Sequence, residues 1–240
     1  FSLIFVDEAH LCPADLFSST VNNINCKIKI AVTATPRRKD GKHIVLNDFF
    51  TPFRVTARDE KEHETPRIEL VHSDIAFNVI EPKRDWSRQM NKIAQNKNLL
   101  SLIAKEATQD IANGRCLLIL SERVDMLKSL QKLIDKSVLL IGETSEDARK
   151  EILKTAGTSY MAILSTKIFD EGISCHRLDT LYLTCPNNNP IKLEQRIGRI
   201  IREHPDKKIP LVKDFWFKGA IVSNQQRKRL EWYQNRGYII

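Results

Sequence analysis

No run in this chain approaches the ~20 consecutive apolar residues that span a bilayer, so no membrane-spanning helix is expected. Cysteine is sparse and poorly placed for cross-linking. Cys12, Cys26, Cys116, Cys175 and Cys185 are odd in number and lack any C-x-x-C spacing, which argues against a disulfide framework or a zinc site. They read as reduced, mostly buried thiols. Internal repeats and low-complexity tracts are also missing. No signal peptide is visible, and the chain opens on Phe1 inside what reads as a strand. The expectation is an intracellular protein and a fragment whose N-terminal part is missing.

What is present fits two modest domains. The 240 residues carry a formal net charge of +8, and long chains of ordinary composition split into separate cores. The charge is uneven. Residues 1–75 hold 10 basic and 11 acidic side chains, residues 76–240 hold 28 and 19, so the second part is the better polyanion binder. A charged, extended stretch over 53–75 places the boundary at 78/79, giving domains 1–78 and 79–240.

Hydrophobic periodicity supplies the elements. The opening LIFV is a short apolar run of the kind buried on both faces of a parallel sheet. A short helix (PADLFSSTVNNI) and a second strand (KIKIA) follow. From Asp85, Trp86, Met90, Ile93, Ala94, Leu100, Ile103, Ala104, Ala107 and Ile111 recur at helical spacing up to Gly114, which predicts one long helix. Strands at CLLILS, SVLLI, YMAILST, LDTLYLT and IPLVKDFWF then alternate with helices over 123–135, 145–156 and 190–202. That alternation predicts an α/β fold with a doubly wound parallel sheet. A basic helix with QQRKRLEWYQNRGY closes the chain.

Four stretches carry chemistry. VDEAH ends the first strand in two carboxylates, Asp7 and Glu8. Adjacent acids at a strand end can divide labour, one holding a divalent cation and the other orienting a water for attack on a phosphate. TATP, residues 33–36, follows with small hydroxyl side chains. STKIFDEGIS, residues 165–174, ends a strand in a hydroxyl-bearing loop whose Gly172 permits close backbone approach to phosphates. QRIGRIIRE, residues 195–203, puts Gln195, Arg199 and Arg202 on one helical face at i, i+4 and i+7, where two guanidiniums can clamp a polyphosphate. Each stretch also has an ordinary reading as a turn or a basic helix face.

In this order the stretches resemble motifs II, III, V and VI of superfamily 2 helicases and translocases of the DExH type. Those of bacteriophages and large DNA viruses are most similar, with CLLILSERVDMLKSL resembling their motif IV. The resemblance implies two RecA-like parallel-sheet domains, the first truncated and the second complete, that use ATP and Mg²⁺. By it, Asp7 would hold the Mg²⁺, Glu8 would activate the attacking water, and His10 would couple the nucleotide site to motif VI. Thr33 and Thr35 would link hydrolysis to domain movement. Arg199 and Arg202 would contact the γ-phosphate with Gln195 in support. Ser165, Thr166 and Gly172 would touch the nucleic-acid backbone, and Gly172, Glu171 or Ser174 would face the nucleotide. Arg227, Arg229, Trp232 and Tyr233 could reach DNA by charge and stacking, or belong to a helix packed on its own domain.

The resemblance further implies unwinding or remodelling of double-stranded or branched DNA in replication, recombination or repair. The setting would be a microbial cytoplasm or a virus-infected cell, with no membrane role. An RNA helicase, a restriction-enzyme motor subunit and a non-catalytic nucleic-acid-binding module stay open as alternatives. One departure is definite: the family's phosphate-binding loop, G-x-x-x-x-G-K-[ST], occurs nowhere in the 240 residues, so these residues alone are not expected to turn over ATP.

Overall fold

A computed structural model describes residues 1–9, 15–33, 46–50, 53, 55, 64–166, 175–187 and 189–240. His10, Thr35, Glu171, Gly172 and Ser174 lie outside these residues. The chain divides into two compact units, Phe1–Lys61 and Glu62–Ile240. This division precedes the boundary expected at 78 for a physical reason. Residues 67–76 are not a linker but a ten-residue strand of the second sheet.

In the first unit β1 (Leu3–Val6) and β2 (Ile28–Ala31) pair in parallel, with α1 (Asp15–Asn23) and the single turn α2 (Leu46–Phe49). Val6, Ala9, Val21 and Leu46 form a small core. Burial of β1 on both faces does not hold here. Leu3 and Phe5 are 44% and 64% exposed, and Ile28 and Ile30 beside them are open too, because the core packs on one face of the pair only.

The second unit is a six-stranded, all-parallel sheet in the order β3-β8-β7-β4-β6-β5. Its strands are β3 (Arg67–Ala76), β4 (Leu117–Leu120), β5 (Ser137–Leu140), β6 (Ala162–Ser165), β7 (Thr180–Leu183) and β8 (Leu211–Lys218). All residues of β4, β6 and β7 are buried, as expected of central strands covered on both faces. Alternate residues serve opposite cores. Leu117, Ile119, Leu164, Tyr182 and Phe215 pack with α3 (Pro82–Ala94), α4 (Lys97–Ala112) and α5 (Val124–Gln131). Leu118, Leu120, Ile163, Leu181 and Val212 pack with α6 (Glu146–Thr155), α7 (Pro190–Ile200) and α8 (Ala220–Asn235).

The long helix expected from Asp85 is two helices. The apolar stripe runs through both, but Asn96 breaks the backbone: its side chain accepts the Leu99 N–H at 3.0 Å and starts α4 as an N-cap. α3 is set by Asp85, whose carboxylate accepts the Ile80 and Glu81 N–H groups. The Glu81 bond in particular holds that carboxyl below its ordinary range. Gly114 follows α4 with φ 76°, the left-handed conformation that glycine tolerates at a helix end.

Adjacent charges on β8 point to opposite faces, and each finds a partner on its own face. Lys213 meets Glu106 at 2.7 Å and Asp110 at 3.0 Å, both on α4, while Tyr182 donates to Asp110 at 2.6 Å. Asp214 meets Arg229 and Tyr233 of α8. Among the described residues Cys116, Cys175 and Cys185 are buried thiols and Cys26 is half-buried. Among the described residues no helix is long and apolar enough to cross a membrane.

Candidate nucleotide and nucleic-acid sites

The carboxylate turn of the first unit is anchored from both sides. Val32 N–H donates to Val6 O at 2.8 Å and Ala9 N–H donates to Val32 O at 3.0 Å. The residues after β1 are thereby pinned to the strand end that carries Thr33. Between these bonds Glu8 takes φ 49°, a left-handed conformation uncommon for a residue with a Cβ, and its N–H donates to Asp7 Oδ1 at 2.8 Å. Such a backbone is stable only where its surroundings fix it, and here the Val32 bonds do so. Asp7 is exposed and Glu8 half-buried, so the two acids occupy different environments on one turn. The structure thus brings Asp7, Glu8 and Thr33 together.

Among the described residues no three acidic, histidine or cysteine side chains gather into a metal cluster. Mg²⁺ keeps several waters and substrate oxygens and needs only one or two carboxylates from the protein. The donor set at Asp7 suits such a partial site.

In the second unit the C-terminal ends of β4, β6 and β7 border a small crevice of about 20 Å³ lined by Ser121, Glu122, Thr166, Cys185, Asn187 and Arg196. Ligands of open α/β sheets bind outside the carboxyl ends of strands where the order reverses. The order here reverses between β4 and β7. Burial pushes the Cys185 thiol above its ordinary value, which disfavours the thiolate. Thr166 lines the crevice. Ser165 does not: it is fully buried and its hydroxyl donates to Leu140 O at 2.7 Å, tying β6 to β5. Its expected nucleic-acid contact is replaced by this sheet-internal role.

α7 begins where Asn189 stands as N-cap and Pro190 as first residue, the favoured arrangement for a helix start. Leu193, Ile197 and Ile200 turn to the core, leaving Gln195 and Arg199 on the half-buried face. The helix ends at Ile200, so Arg202 sits in the bend beyond it and the i+7 relation does not apply. A Cβ built on Gly198 meets nothing within 4 Å, so the close approach that glycine permits is not used within this unit. Arg196, buried at 8% exposure and lining the crevice, was missed in the sequence. It differs from its neighbouring arginines only in facing inward.

Arg229 is corrected more sharply. It is 5% exposed, with Nη2 and Nε donating to Asp214 at 2.7 and 2.9 Å and Nη1 donating to Asn187 O at 2.7 Å. Burial opposes its charge, but Asp214 and Tyr233 hold its pKa above the ordinary value. Arg229 therefore braces the crevice-lining loop at Asn187 from behind and does not face a solvent-borne ligand. Tyr233 is buried in the same network, and Trp232 packs against its own domain with Arg236 over its ring. Arg227 alone of the two arginines proposed for DNA is exposed.

This topology, with its crevice at the strand ends, is that of a RecA-like α/β domain. Residues 94–204 match the helicase conserved C-terminal domain, and the resemblance to superfamily 2 helicases and translocases of phages and large DNA viruses holds. A probable helicase of Escherichia phage T5 is 28% identical over 99% of this chain and 54% of its own length. The ATP-dependent DNA helicase uvsW of Enterobacteria phage T4 is 25% identical over 100% and 50%. The crystal structure of T4 UvsW superposes with a TM-score of 0.57 at 20% identity, covering 98% of this chain and 52% of that one. The chain spans about half the length of the curated relatives it matches.

Proposed function

We propose that the chain is part of an ATP-dependent DNA helicase or translocase that couples nucleotide hydrolysis to unwinding or remodelling of duplex or branched DNA. The observation that carries this reading is the Asp7–Glu8 turn, locked to the strand end bearing Thr33, in one chain with a helicase C-terminal domain. Bound Mg²⁺ would supply charge neutralisation at the phosphates. Asp7 would hold that ion through its carboxylate, and Glu8 would orient the water and accept its proton. His10 and Thr35 complete the coupling segments. Gln195, Arg199 and Arg202 serve a γ-phosphate, Arg202 as the arginine finger, with Glu171, Gly172 and Ser174 as further nucleotide contacts. Thr166 and Arg227 contact the DNA backbone. DNA is preferred over RNA because relatives from phage T4, Trypanosoma brucei and Sulfurisphaera tokodaii are named as DNA enzymes, against a mimivirus relative named as an RNA helicase.

The test is steady-state ATP hydrolysis by the full-length protein, with and without duplex, branched and single-stranded DNA and RNA, beside Glu8→Gln and Arg202→Ala. DNA-stimulated hydrolysis is expected, abolished by Glu8→Gln and cut to a small but measurable residue by Arg202→Ala. The 240 residues alone are expected to be inactive, since they hold no phosphate-binding loop. No hydrolysis under any condition, with DNA binding intact, would replace the motor with a binding module.

A further inference from the structure

The bend that carries Arg202 has lost its helix. α7 stops at Ile200, and carbonyls at and beyond a helix end need partners other than the helix. The Arg202 carbonyl has one: Lys207 Nζ donates to it at 2.5 Å. The intervening residues close on themselves, with Lys207 N–H donating to His204 O at 3.2 Å and Asp206 N–H to His204 Nδ1 at 3.3 Å. Side chain and main chain of Lys207 thus clasp residues 202–207 into one loop. Arg202, His204 and Lys207, with Glu64, wall a cavity of about 660 Å³.

Lys207 is not an ordinary surface lysine. Burial, with Arg177 nearby, pushes its ammonium down to about 8, against the opposing pull of Asp179, Cys175 and Cys116. A lysine that only needed solvation would extend into water. This one is folded back onto a fixed acceptor.

We propose that Lys207 is a positioning residue for Arg202, anchoring its carbonyl so that the guanidinium is presented from a rigid bend. The inference rests on the reading of Arg202 as a γ-phosphate contact. It predicts a loss in turnover and not in nucleotide binding.

The test is ATP hydrolysis by the full-length protein as wild type, Lys207→Met, Lys207→Arg, Arg202→Ala and the Lys207→Met/Arg202→Ala double variant, with urea midpoints for each. Misplacing a catalytic group can cost up to about a hundredfold, and loosening one anchor of its bend is expected to lower kcat about tenfold with KM for ATP within about twofold. Lys207→Arg, which retains a cationic donor, should recover most of this. In the Arg202→Ala background Lys207→Met should add nothing, because Lys207 acts through the residue already removed. A full additional loss there, or wild-type kcat in a folded Lys207→Met, overturns the positioning role. Wild-type turnover in Arg202→Ala instead overturns the arginine reading itself. If Lys207→Met does not fold, Lys207→Gln, with a shorter neutral donor, takes its place and the same outcomes decide.

Discussion

Replacing Arg229 with methionine separates two roles for the C-terminal helix. The guanidinium makes two bonds to Asp214, at 2.7 and 2.9 Å, and one to Asn187 O at 2.7 Å. Removing it leaves the fully buried Asp214 with Tyr233 Oη at 3.1 Å as its remaining side-chain donor in this network. Methionine occupies much of the vacated space, so the cavity contribution is small. The main cost is a buried carboxylate without its cation, about 3–5 kcal/mol. All three tryptophans, Trp86, Trp216 and Trp232, lie in the second unit, so their fluorescence in urea reports on that unit. With a slope of about 2 kcal/mol per molar urea, the midpoint should fall by roughly 1.5–2.5 M. Removing both charges with Asp214→Leu/Arg229→Met should recover much of the loss, since an apolar pair can replace a buried ion pair. A midpoint shift below about 0.5 M, with a salt dependence of DNA binding reduced by about one ion, would refute the bracing role and make Arg229 a phosphate contact.

Two further outcomes follow from the same unit. In Gly219→Ala the new Cβ would come within 2.4 Å of Phe77 O, at φ 148°. The variant should lose about 1–3 kcal/mol in the same urea assay, and an unchanged midpoint would mean that the β8–α8 corner relaxes freely. For Lys207, whose pKa is lowered to about 8 from 10.5, the unfolded chain binds the extra proton between those values. Its contribution to stability therefore rises with pH from about 8 to 10.5. Urea midpoints across that range should climb more steeply in wild type than in Lys207→Met, and parallel profiles would show that the ammonium is not held against burial.

The legible part of the fold was the part buried on both faces. LLIL, AILS and TLYL are short apolar runs bounded by turn residues, and they became β4, β6 and β7 because nothing but a covered parallel strand suits them. Asn96 was hidden for the opposite reason: the apolar stripe continues in phase across it, so periodicity carries no sign of the backbone break. β3 was obscured by its charged approach, and β1 by an apolar sequence whose second face has no cover among the described residues. That Asp7, Glu8 and Thr33 lie near one another was readable because they follow two paired strands. Arg229 was not, because exposed and buried arginines look alike until Asp214, fifteen residues earlier on another element, is seen to face it. Ser165 and Arg196 share that difficulty.

The last residues of the chain give the second unit a mechanical property. Ile239 N–H donates to Pro66 O and accepts Ile68 N–H through its carbonyl, at 3.2 and 2.6 Å, while Arg67 N–H donates to Pro210 O on the other side at 2.8 Å. Tension applied to the backbone near Glu64 therefore enters a strand gripped along both edges. The parallel ladder from Arg67–Leu211 to His72–Trp216 then bears that load in shear, many bonds at once. A pull along the chain would shift the whole sheet before peeling its first strand.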